Sequence, residues 1–309
     1  MQLLVDGNPI LFWIIRTFVL ITFVYTGWWI SNNRRITNLS YWRGVTPLIV
    51  IYSLAEGLRW GRATDYFHYC QDLTGELFTN YDEFIYLLWI FLFKNSGFPF
   101  WVGFVFYSFI LIFSFLYLIR RFPKIARYAL PLFFIITSSQ SDNLIRQYFA
   151  LAFIIFAIAF YFGKRYSWMI ISFIVAVGIH YGAVFPIVVF VISYLLSKYY
   201  TPNKPIILVI LFLFFFFFWD NSYYSFITDA ISQYAPETGT RVDGYLQGSS
   251  FFTADGSLAL KSGRKWGGYS NVNRVVVFLV YLFIIVAGFY VTKRRKLRFC
   301  FFVRISQYL

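Results

Sequence analysis

Residues 142–182 constrain this chain more than any other stretch. They open on a polar cluster, Asp142, Asn143, Arg146 and Gln147, followed by sixteen residues, 148–163, without a charge. Lys164 and Arg165 then make a basic turn, and a second apolar run, 168–179, ends on His180. Uncharged runs of this kind read as membrane helices. Two helices joined by a short turn run antiparallel, so Arg146 and His180 come to one end of the hairpin and Lys164 and Arg165 to the other. An arginine and a histidine at the rim of a membrane bundle are costly in lipid and mark a functional site by default. The plainer alternative is that Arg146 snorkels to headgroups and His180 is a hydrogen-bonded packing residue.

The pattern repeats along the chain. Hydrophobic residues make up 60% of the sequence and charged residues 13%, which describes an all-α, polytopic integral membrane protein rather than a soluble domain with one anchor. The net charge of +14 does not point to nucleic acid, because the basic residues sit in short clusters between apolar runs and read as topology signals. The first apolar run follows Asp6 and no basic segment, and it is long enough to span, so it is expected to be a span and not a cleaved leader.

Clusters at 34–43, 120–127, 164–165 and 293–298 are assigned to the cytoplasm by the positive-inside rule. That gives a single transmembrane domain, 1–309, with about nine spans, the N-terminus outside and the C-terminus inside. Residues 59–83 and 220–274 are expected to be two large external loops. Residues 84–93 are apolar but only ten long, so a re-entrant or interfacial helix is expected there. Residues 167–197 would make one helix of roughly 46 Å against a hydrocarbon core of about 30 Å. Two short legs meeting at His180 fit better, with the imidazole at the floor of a cavity. Residues 299–309 read as the start of a further span. Cys70 and Cys300 fall on opposite sides in this topology, so no disulfide is expected between them. All 13 acidic residues fall on the outer side or at an outer helix end, and an active site is expected to face outward.

The chemistry collects on that side. Arg59, Arg62, Arg146, Arg241 and Arg264 offer guanidinium forks, which bind phosphate oxygens in pairs. Asp65, His68 and His180 supply a carboxylate and imidazoles, either of which could serve as general base for a hydroxyl nucleophile. The combination suits transfer from a lipid-linked pyrophosphate. Asp65, His68 and Asp72 would share one face of a helix and could bind a divalent cation, but exposed helix faces often carry such residues without a metal. A metal-independent site without a cofactor is expected. A phosphate-binding glycine loop, a zinc-protease motif and a nucleophile elbow are all missing from the sequence.

Four stretches carry a resemblance: GLRWGRATDYFHY (57–69), DEFIYLLWIFLF (82–93), NLIRQYFALAFIIFAIAF (143–160) and VGIHYGAVFPI (177–187). Their order is similar to the EpsG family of bacterial polysaccharide polymerases, related in role to Wzy-type polymerases. The matching positions are Arg59, Asp65 with Tyr66, Glu83 to Tyr86, Arg146 with Gln147, and His180. The resemblance implies an enzyme that joins oligosaccharide repeat units on undecaprenyl pyrophosphate at the outer face of the bacterial cytoplasmic membrane. Asp65 and His180 would be catalytic, and Arg59, Arg62, Tyr66, Arg146, Gln147, Arg241 and Arg264 would bind substrate. Its partners would be the lipid bilayer and the polyprenyl-pyrophosphate-linked donor and acceptor, with a chain-length regulator or flippase as candidate protein partners. A flippase or transporter of lipid-linked sugars, or another outer-face transferase, is the alternative. Transporters often show internal repeats, and none is visible here.

Overall fold

The structure is a computed structural model, and it describes residues 9–33, 37–58, 66–75, 81–138 and 144–199. The described elements are all helical, and no strand occurs among the described residues. In order they are α1 (Pro9–Asn32), α2 (Asn38–Gly57), α3 (Tyr66–Thr74), α4 (Phe84–Asn95), α5 (Phe100–Ile119), α6 (Ala126–Thr137), α7 (Ile145–Phe162), α8 (Tyr166–Ile179) and α9 (Val184–Tyr199). Contacts divide the chain into two units, Met1–Ile192 and Ser193–Leu309. Only the last turns of α9 represent the second unit among the described residues.

Three helices are long and apolar enough to cross a membrane: Leu11–Asn32 within α1, Phe100–Ile119 and Ile145–Phe162. The apolar helices α4 and α8 have 12 and 14 residues. At about 1.5 Å per residue, α8 rises only about 21 Å. It stops because His180 leaves the helical region, with φ −155° and ψ 119°. A single 3₁₀ turn, Tyr181–Ala183, then leads into α9. The apolar stretch is thus broken at His180 into two legs, as its length requires. The loop expected at 220–274, the basic cluster at 293–298, the start of a further span at 299–309 and Cys300 lie outside the described residues. Cys70, on α3, is a free thiol.

Local chemistry moves two boundaries from their expected places. α2 starts at Asn38, inside the basic segment 34–43, because Thr37 caps it. Its side chain accepts from the Ser40 N–H at 3.2 Å and satisfies a donor that the first turn leaves open. Residues 59–83 are not loop throughout. Residues 66–74 form α3, which buries Tyr66, Asp72 and Leu73.

Two hydrophobic cores share α5. One lies among α1, α2, α5, α6 and the middle of α7, around Phe23, Tyr52, Leu116 and Leu130. The other lies among α3, α4, α5, α7 and α8, around Tyr86, Phe104, Phe149 and Ile179. Hydrogen bonds across helices pin the packing where lipid gives no hydrophobic drive. The Tyr41 hydroxyl donates to the Leu116 carbonyl at 2.7 Å, and the Trp89 indole N–H donates to the Tyr107 hydroxyl at 2.8 Å.

The bundle has chemically distinct ends. A Cβ on Gly27 would lie 2.6 Å from the Ala126 carbonyl oxygen, so α1 finishes against the start of α6. Arg120 donates to Asn38 at the start of α2, and Arg121 lies against Gly163 at the α7–α8 turn. Arg120, Arg121, Arg127, Lys164 and Arg165 therefore belong to one end. At the other end lie the last turn of α2, the first turn of α7 and the break at His180. The four described acidic residues, Glu56, Asp72, Asp82 and Glu83, all belong to this Arg146 end. α4 starts there at Glu83 and finishes with Phe93 over Gly103 in the first turn of α5. It begins and ends at the same end of the bundle.

Candidate functional site

Arg146, in the first turn of α7, does not snorkel. Its Nη1 donates to Glu83 Oε2 at 3.2 Å, and the two side chains are 11% and 7% exposed. Glu83 is the N-cap residue of α4, yet its side chain makes no capping bond to its own helix. The arginine takes it instead. The guanidinium carbon also lies 4.3 Å from the centre of the Tyr81 ring and 5.2 Å from that of Tyr86, a cation–π arrangement that gains strength where water is excluded. Arg146 Nε is buried and has no hydrogen-bond partner. The arginine is thus fixed by one acid and two aromatic faces, with a donor in reserve.

Those aromatic faces are themselves anchored. The Tyr81 and Tyr86 hydroxyls both donate to Asp72 Oδ2, at 2.9 and 3.2 Å. Asp72 is fully buried, and a buried carboxylate is tolerable only when hydrogen-bonded in this way. The turn after His180 joins the same assembly, because the Tyr181 hydroxyl donates to the Asp82 carbonyl at 3.2 Å.

His180 shares a cavity of about 310 Å³ with Gln147. Leu144, Gln147, Leu151 and Ile154 line it from the α7 side, and His180, Gly182 and Pro186 from the other. Its polar groups lie toward the Arg146 end, and the apolar wall runs about 10 Å along α7 to Ile154. The Gly182 N–H donates to His180 Nδ1 at 2.8 Å, and a Cβ at Gly182 would come within 2.9 Å of the ring. Since Nδ1 accepts, the proton of the neutral ring sits on Nε2. Burial lowers the pKa of His180, the Arg146 charge lowers it further, and Glu83 and a backbone hydrogen bond oppose both. His180 therefore presents a neutral Nε2–H, a hydrogen-bond donor.

The hairpin brings together Arg146, Gln147 and His180 as their positions in sequence require. Tyr66 sits elsewhere, buried and stacked on Phe104 at 4.8 Å in the α3–α5 contact. Arg59, Arg62, Asp65, Arg241 and Arg264 lie outside the described residues. Sequence reasoning missed the partners: Glu83 for Arg146, and Asp72 for the two tyrosines. It also missed Glu56 as the partner of Arg16. There Nη2 donates to Glu56 Oε2 at 3.4 Å, Nη1 donates to the Ser138 carbonyl, and the side chains are 10% and 5% exposed. Among the described residues, no three of His, Cys, Asp and Glu converge as metal ligands would. The arrangement can bind an anion at Arg146, donate hydrogen bonds from Gln147 and His180, and hold an apolar group along α7.

No curated protein and no solved structure matches the chain. The model of the EpsG family matches residues 45–309, a range that takes in α2 beyond its first turns, the Glu83–Arg146 pair and the His180 cavity. The chain therefore belongs to the EpsG family.

Proposed function

We propose that this protein polymerises undecaprenyl-pyrophosphate-linked oligosaccharide repeat units into a capsular, exo- or O-antigen polysaccharide at the outer face of the bacterial cytoplasmic membrane. Membership of the EpsG family implies a polymerase-type glycosyltransferase of polysaccharide biosynthesis. The lipid-linked substrate rests on one observation. A cavity with an apolar wall on α7 carries its hydrogen-bond donors, Gln147 and His180, and Gln147 is next in the chain to a largely buried arginine. A polyprenyl pyrophosphate needs both halves: apolar surface for the isoprenoid and cationic donors for the phosphates.

In the proposed reaction an acceptor hydroxyl attacks the anomeric carbon of the donor. The carbon–oxygen bond to pyrophosphate breaks, and undecaprenyl pyrophosphate leaves with the electron pair. Arg146 holds the leaving group's charge, with Arg59, Arg62, Arg241 or Arg264 as further clamps, and needs no metal for that role. Asp65 takes the hydroxyl proton. His180, with its proton on Nε2, orients the reactants as a donor, and Gln147 binds beside it. About nine spans, with the N-terminus outside and the C-terminus inside, put the Arg146 end of the bundle on the outer side. The test is incubation of purified protein with a defined lipid-linked repeat unit. A ladder of longer glycans supports the reading, and recovery of the single unit alone rejects it.

A further inference from the structure

The arginine assigned to the pyrophosphate is already occupied. Arg146 reaches Glu83 at 3.2 Å, both side chains are largely buried, and a carboxylate and a phosphate oxygen compete for the same N–H groups. An ordinary structural pair would leave Glu83 nowhere else to go. Here it has a second seat. Glu83 is the N-cap residue of α4, a helix of 12 residues, and its side chain does not cap that end. The open N–H groups there, with the positive end of the helix dipole, favour a carboxylate. A modest rotation of the Glu83 side chain would therefore move its charge from Arg146 to its own helix without stranding it in an apolar setting.

The rest of the cage stays in place through such a move. Tyr81 and Tyr86 lie over the guanidinium at 4.3 and 5.2 Å, and their hydroxyls are tied to Asp72, not to Glu83. Arg146 Nε is buried without a partner. Arg146 thus keeps its position, and an incoming anion gains Nη1 together with a donor that the resting structure leaves open.

We infer that Glu83 is an internal stand-in for the phosphate: it occupies Arg146 in the resting protein and hands the arginine over to a pyrophosphate group, moving to the N-terminus of α4. The exchange keeps a buried guanidinium paired at every stage, since an unpaired buried charge is strongly destabilising. It also makes phosphate binding selective, because only an anion that outbids a preorganised carboxylate enters. This inference rests on the reading of Arg146 as a pyrophosphate ligand.

The test uses the full chain in nanodiscs of phosphatidylcholine, with thermal unfolding followed as inorganic pyrophosphate is added. Glu83→Gln should unfold at a lower temperature than wild type without ligand. It should then bind pyrophosphate more tightly, on the order of tenfold, because the competing charge is gone. Arg146→Gln should abolish the response. Equal or weaker pyrophosphate binding by Glu83→Gln overturns the inference and makes Glu83 a holder of Arg146. Should Glu83→Gln fail to fold, Glu83→Asp shortens the reach to Arg146 and must move affinity in the same direction, and a weakening there overturns it too. Discs containing phosphatidylglycerol form a second arm. If that lipid and not pyrophosphate stabilises Glu83→Gln, the seat belongs to a bilayer headgroup and the inference fails. Tighter pyrophosphate binding by Glu83→Gln in a chain that builds no glycan ladder would sink the polymerase reading and leave the exchange standing.

Discussion

Asp72 and Arg146 never touch, yet one holds the other. The carboxylate of Asp72 receives the hydroxyls of Tyr81 and Tyr86, and the rings of those tyrosines form the aromatic faces against the Arg146 guanidinium. Asp72→Ala would leave two hydroxyls without that acceptor, at about 1–3 kcal/mol, and should lower the thermal unfolding midpoint. Adding Tyr81→Phe and Tyr86→Phe should cost little more, because the hydroxyls would already have lost this partner. Fully additive losses would show that the tyrosines do not act through Asp72.

Replacing Arg146 by lysine keeps the charge but removes the fork and the planar face that lies against Tyr81 and Tyr86. A lysine ammonium offers a point charge in place of two aligned donors. Polymerisation by Arg146→Lys should fall roughly 10- to 100-fold in folded protein. Wild-type rates would contradict the assignment of a guanidinium-specific role.

The acid limb of the pH profile should belong to His180. Burial and the Arg146 charge lower its pKa below the ordinary value of about 6.5, so the neutral ring persists into mildly acid solution. Protonation there would set a cation beside Arg146 and oppose a protonated Nδ1 to the Gly182 N–H. Activity should hold steady as pH falls from 7 and decline only below about 6.5. His180→Gln should lower activity throughout and remove that decline. An inflection above 6.5 would contradict the donor role.

The buried Arg16–Glu56 pair between α1 and α2 should behave as a matched set. Glu56→Ala leaves the Arg16 charge without its carboxylate and should cost about 3–5 kcal/mol. The double replacement Arg16→Met with Glu56→Leu should recover most of that loss, since no buried charge remains. A neutral effect of Glu56→Ala alone would mean that Arg16 is stabilised mainly by its other contacts, the Ser138 carbonyl and the rings of Phe12 and Phe134.

Chelation bears on the chemistry separately. Activity should survive EDTA, because the charge on the leaving group falls to arginine. Loss of activity, restored by Mg²⁺ or Mn²⁺, would move Asp65 and His68 to the role of ligands.

The hairpin was legible in the sequence because its two devices are local. An uncharged run bounded by Arg146 and a basic turn folds back on itself, and an apolar stretch too long for one span must break, which it does at His180. The partners of Arg146 and Arg16 were not legible. Glu83 is 63 residues from Arg146 and Glu56 is 40 residues from Arg16, and nothing in spacing pairs residues on different helices. Asp72 misled for a related reason. Its spacing from His68 marks a polar helix face, but Asp72 is buried under Tyr81 and Tyr86, whose hydroxyls donate to it. Glu83 did stand inside a stretch that the family resemblance singled out, although the resemblance gave no reason to join it to Arg146.

The most direct measurement of the central claim counts two products at once. Purified protein in nanodiscs is given a defined undecaprenyl-pyrophosphate-linked repeat unit, and glycan length and free undecaprenyl pyrophosphate are followed together. A polymerase of this kind releases one undecaprenyl pyrophosphate for each new glycosidic bond, with both signals lost in Arg146→Gln. Repeat units that cross the bilayer or acquire another group without lengthening, and without release of the lipid pyrophosphate, would contradict the account.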